Sequence, residues 1–120
     1  MARSALEAVT LFFELSARGD VLAADVEFLP LTGEVVVGPD GVTQALDDIA
    51  EQFRIYEVRP AAMTPVGDEA VLVELRREGL THRGDFPLAD TFAQVFTVSD
   101  GQIVRIESFK TLAEARRAIR

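Results

Sequence analysis

The 120-residue chain has no cysteine, no tryptophan, one histidine, one tyrosine and one lysine. Without cysteine there is no disulfide, no thiol nucleophile and no thiolate metal site, and nothing marks an oxidising compartment, so a cytoplasmic location is expected. His82 has no histidine partner, and no His, Asp and Glu set shows ligand spacing; neither a metal nor another cofactor is expected. Long apolar runs are also missing. The opening "MARSALEAVTLFFELSARGD" interrupts its apolar positions with Glu7, Glu14 and Arg18, which fits neither a secretory leader nor a membrane span. The formal net charge is -8 and the basic residues are scattered, which argues against a groove that tracks nucleic-acid phosphates.

The apolar share of 48% and charged share of 27% are those of an ordinary globular chain, and the length suffices for one core but not two. Residues 1–120 are therefore read as a single domain. Ser4 and Glu7 form a capping-box pattern that opens a helix, with Leu6, Val9, Thr10, Phe13 and Ala17 on one stripe, widened by Phe12 and Leu15. Arg18-Gly19-Asp20 ends that helix. From Val21 a short helix or turn leads into the extended "DVEFLP", whose type the pattern leaves open. "LTGEVVVGPDG" reads as a long loop with one short strand, and Asp40 as the cap of a second helix carrying Val42, Ala45, Leu46, Ile49, Ala50 and Phe53.

Beyond Phe53 the apolar period changes from 3.6 to 2. Four strands are predicted, near 54–66, 69–82, 88–98 and 102–109, joined by short turns into an antiparallel meander. Thr111 and Glu114 then open a last helix. The layout is α+β, with the helices expected on one face of a curved sheet.

In "FFELSARGDVLAADVEFLP", "GPDGVTQALDDIAEQF", "VGDEAVLVELRREG" and "FAQVFTVSDGQIVRIESFKTLAEARRAI" the chain resembles the SnoaL-like branch of the nuclear transport factor 2 superfamily over nearly its whole length. The resemblance implies a conical barrel, cystatin-like, in which a curved, mostly antiparallel sheet wraps around three helices. It also implies a pocket between sheet and helices, and a homodimer formed through the outer sheet face.

Strand alternation puts Val71, Val73 and Leu75 on one face, and Asp90, Phe92, Gln94, Phe96 and Val98 on one face of the next strand. Antiparallel pairing about "RGDF" then sets Val71 near Phe96, Val73 near Gln94, Leu75 near Phe92 and Arg77 near Asp90. With the resemblance, the expected pocket residues are Phe12, Phe13, Phe28, Phe53, Val73, Leu75, Phe92, Phe96 and Ser108. Gln94 is either the orienting polar group of that pocket or a buried amide that only fixes packing. Arg77 and Asp90 are either an orienting pair at its mouth or a half-exposed ion pair of little weight.

The chemistries known for such folds fit poorly. The positions that would carry a steroid-isomerase-like Tyr, Asp base and acid donor read Phe12, Phe28 or Leu29, and Gln94. The Asp, Arg, Asp set of an epoxide-hydrolase-like site reads Leu75, Arg77 and Ser108, and the His common in cyclases reads Gln94, while His82 sits beside a turn. Asp47 and Asp48 fall on a helix surface, and Glu74, Arg76 and Glu78 form a solvated or dimer-facing ladder. The leading expectation is a domain that binds a small apolar molecule without an assignable reaction. The alternatives are an enzyme of the polyketide cyclase, isomerase, dehydratase or hydrolase kind, with Asp90 as base, Arg77 its orienter and Gln94 a carbonyl donor, and a non-catalytic dimerisation module.

Overall fold

The computed structural model describes residues 3–14 and 18–119; Leu15 and Ala17, placed above on the first helix, lie outside the described residues. Helix α1 (Ala5–Phe12) starts at the predicted capping box: the Ser4 hydroxyl accepts from the Glu7 amide at 3.1 Å and the Glu7 carboxylate accepts from the Ser4 amide at 3.4 Å. Its buried face is Ala5, Ala8, Val9 and Phe12, whereas Leu6 and Thr10 are exposed. The stripe is rotated from the expected one because two alanines, lacking bulk, let the helix settle closely on the sheet.

A 3-10 turn, Arg18–Val21, leads directly into β1 (Leu22–Leu29), so the segment of open type is a strand, followed by Pro30. The two-residue β2 (Val36–Val37) pairs antiparallel with β1. Helix α2 (Pro39–Glu51) is capped by Gly38 at φ +89°, not by Asp40. Pro39 at the first helical position needs no amide partner, and Asp40 instead adds negative charge to the first turn, where the helix dipole favours it.

The rest of the sheet is β3 (Phe53–Val66), β4 (Ala70–Thr81), β5 (Pro87–Ser99) and β6 (Gln102–Phe109), in the order β2-β1-β6-β5-β4-β3. Four pairings are antiparallel and β1 runs parallel to β6. The expected conical barrel does not form: the sheet is open, neither closed nor strongly curled, with β2 and β3 as its edges. Neither edge is suited to closure, since β2 offers two residues and β3 carries Pro60 and Pro65, which have no amide to donate. Nor does the sheet wrap around three helices. While α1 and α2 pack on one face, α3 (Leu112–Ala118) covers the other, burying Ala115 against Leu72, Ala93 and Val95.

Within the meander the register is the one predicted, with Val71 opposite Phe96, Val73 opposite Gln94, Leu75 opposite Phe92 and Arg77 opposite Asp90. The β5–β6 turn is two residues long, Asp100-Gly101, both at positive φ (51° and 77°). That is the backbone a tight hairpin turn requires, and Asp-Gly supplies it at low cost. Among the described residues no helix is long and apolar enough to cross a membrane.

Candidate functional site

A cavity of about 440 Å³ lies between the sheet and the helices α1 and α2. Its floor is Leu75 and Arg77 of β4, Phe92 and Gln94 of β5, and Ser108 of β6; Phe12, Phe13 and Phe28 wall one side. Leu46, Ile49 and Ala50 of α2 face it from above, and Phe53, Tyr56 and Val58 of β3 complete the wall. The space explains why only Val42 of α2 is fully buried. The C-terminal half of that helix has the cavity, not the sheet, beneath its apolar side chains.

Seven of the nine residues expected at the pocket line it; Val73 and Phe96 do not, although both are fully buried on the same sheet face. Helix α1 is the cause. Its last residue Phe12 and the C-cap Phe13 meet the Phe96 ring edge-on, at centroid distances of 5.2 and 5.8 Å, and close off that end of the sheet as solid core.

Four polar side chains other than Gln94 and Ser108 matter at the rim. Arg77 donates from Nε and Nη2 to the two carboxylate oxygens of Asp90, at 2.8 and 2.6 Å, and its guanidinium lies 5.5 Å from the Phe92 ring centre. These bonds hold the Asp90 carboxyl below its ordinary range and keep Arg77 firmly charged. Asp90 is not part of the cavity wall. Tyr56 stacks on Phe53 at 5.0 Å; burial pushes its phenol above the ordinary value, while Arg77 beside it pulls the other way. Arg18 donates from Nε to the Phe12 carbonyl at 3.0 Å and lies with its guanidinium carbon 4.7 Å over the Phe12 ring.

On the floor, Gln94 Nε2 donates to Ser108 Oγ at 3.2 Å. Among the described residues Gln94 is the one polar residue in the buried core, 7% exposed, and its Nε2 is engaged by a neighbour on the next strand while it still forms part of the wall. A buried amide among aromatic walls can fix the orientation of a bound molecule, because a carbonyl or hydroxyl placed against it meets a hydrogen-bonding partner.

Arg18, Asp47, Tyr56 and Val58 are wall residues that the sequence reading did not assign to the pocket. Tyr56 and Val58 share the two-residue alternation of β3, which was the available signal. Arg18 had none, since its helix-ending Gly neighbour accounts for it locally. His82 lies outside this cavity, with Nε2 at 2.8 Å from the Glu51 carbonyl at the end of α2. Among the described residues no group of three His, Asp or Glu side chains is placed to hold a metal ion. Glu78 of the outer ladder contacts Arg76 at 3.1 Å and Arg59 at 3.5 Å, all well exposed.

The family model of the SnoaL-like domain matches residues 10–106. Among solved structures the chain is similar to TerC co-crystallised with polyporic acid, with a TM-score of 0.75, 19% identity, and 95% of this chain and 96% of that chain covered. It is also similar to a protein of ketosteroid isomerase-like fold from Catenulispora acidiphila in complex with trimethylamine (TM-score 0.75, 18% identity, 88% and 86% covered). An NTF2-like protein from Burkholderia pseudomallei aligns with a TM-score of 0.74, 21% identity and 95% of each chain covered. These likenesses are of fold. A comparison with curated proteins found no match.

Proposed function

Because the chain belongs to the SnoaL-like family, we propose that its cavity binds a small, largely apolar molecule, whose polar group is oriented by Gln94. The observation that carries this is an unfilled space of about 440 Å³ walled by five Phe rings and holding one buried amide. Ligand pockets fall at roughly 300–1,000 Å³ and combine apolar walls with a few placed polar groups. The small molecules present with TerC and the Catenulispora protein are consistent with a ligand site in this fold.

Binding is favoured over proton transfer by the state of Asp90. Both its oxygens are occupied by Arg77, which makes it a weak base, and it stands outside the cavity wall. In this reading Arg77 and Asp90 form a fixed polar rim. The test is titration with the neutral fluorophore N-phenyl-1-naphthylamine (NPN). Saturable one-to-one binding, lost in Ala50→Trp where an indole fills the cavity from α2, is expected. Absence of saturable binding by the wild-type chain would refute the reading.

A further inference from the structure

Two arginines line the cavity, and they differ in what their guanidinium groups have left to give. Arg77 spends Nε and Nη2 on both oxygens of Asp90. Arg18 is half-buried; among the described residues it makes one side-chain hydrogen bond, from Nε to the Phe12 carbonyl, and has no carboxylate within 4.0 Å. That bond and the Phe12 ring beneath fix the guanidinium plane at the α1 end of the cavity.

We propose that the cavity's ligand carries an ionised acidic group, a carboxylate, sulfonate or ionised enol, that pairs with the terminal nitrogens of Arg18 while its apolar body lies among the Phe rings. This rests on the ligand-binding reading above. The physical reason is the cost of leaving a partly desolvated charge uncompensated. Burial acts against the Arg18 charge, and the acidic residue Asp47, also on the cavity wall, only partly offsets it. An anion presented on the Arg18 fork makes charge-assisted hydrogen bonds that neither Phe12 nor Asp47 supplies. With a formal net charge of -8 the chain repels anions at long range, so the selectivity is a local property of this position.

A pair of probes separates this proposal from the reading beneath it. 8-Anilinonaphthalene-1-sulfonate (ANS) and NPN share one anilinonaphthalene body and differ in the sulfonate. The wild-type chain is expected to bind ANS more tightly than NPN. In Arg18→Gln, ANS affinity should fall about tenfold, the usual worth of one charge-assisted contact, and by clearly more than NPN affinity falls; Arg18→Lys should recover part of the loss. Equal losses for both probes, or an unchanged ANS affinity, would overturn the proposal while leaving the cavity reading intact. Failure of both probes to bind the wild-type chain would overturn both. Should Arg18→Gln lose its cooperative melt, Asp47→Asn carries the test: a rise in ANS affinity alone supports the proposal, and no rise overturns it.

Discussion

Gln94 and Ser108 face each other across β5 and β6, joined by a hydrogen bond of 3.2 Å on the floor of a cavity otherwise walled largely by apolar side chains. The bond engages one N–H of the amide without removing the group from the cavity. A purely structural Gln94 and a ligand-orienting one therefore predict different results. Replacing Gln94 by Leu should change stability by no more than about 1 kcal/mol, since one modest hydrogen bond is exchanged for apolar contact. NPN should bind as well as before. 1-Naphthol, whose hydroxyl needs a partner, should lose about three- to tenfold in affinity. Equal affinity of 1-naphthol for both chains would assign Gln94 to packing.

Arg77 and Asp90 set an acid-side signature. The bonded guanidinium lowers the Asp90 carboxyl in the folded chain, so its contribution is complete above the unfolded value and fades as pH falls through the folded one. In urea unfolding, Asp90→Asn should be less stable than wild type at pH 7 by at most about 1 kcal/mol, as expected of a half-exposed pair. The difference should shrink progressively below about pH 4. A difference that persists undiminished at pH 2 would point to a steric origin.

Tyr56 gives the opposite signature. It is the only tyrosine, so phenolate absorbance reports it alone. Burial raises its folded value, so stability is complete below the unfolded value near pH 10 and declines as pH rises through the folded one. Spectrophotometric titration should show ionisation shifted to higher pH in the native chain than in urea, and Tyr56→Phe should remove that part of the alkaline loss. Identical native and denatured titrations would contradict the placement of the phenol in the wall.

Gly79 lies on β4 opposite Tyr56, where a β-carbon would stand 2.5 Å from the Ile55 carbonyl oxygen. Backbone must move to admit it. Gly79→Ala should cost about 1–3 kcal/mol, the usual range for overpacking, and should weaken NPN binding through displacement of Tyr56. Unchanged melting would show that β3 yields at this point.

The local features were legible in the chain. Ser4 and Glu7 announced α1, and the alternation around Gln94 with the turn near "RGDF" fixed the β4–β5 register and hence which side chains share the cavity floor. Features decided by distant contacts were not. The parallel pairing of Leu22–Leu29 with Gln102–Phe109 joins opposite ends of the chain, and no local signal marks it. Leu72, Ala93 and Val95 alternate onto the outer face of the sheet, and no local pattern in β4 or β5 marks α3 as their cover. Barrel closure, implied by resemblance, fails at strand edges whose partners no single segment specifies. The place of Arg18 in the cavity wall was hidden because it depends on the Phe12 ring beneath it and on α2, whose Asp47 lies 29 residues further along the chain.

An open sheet exposes a long outer strand, and that is ordinarily a hazard. The free edge of β3, fourteen residues long, offers a template on which another extended chain can grow, the first step toward fibrils. Pro60 and Pro65 interrupt the row of donors, and the register shift between Pro60 and Ala62 bends the strand out of a flat template. A second copy arriving at this edge finds too few amides to zip onto, so the same prolines that leave the sheet open also keep it from propagating.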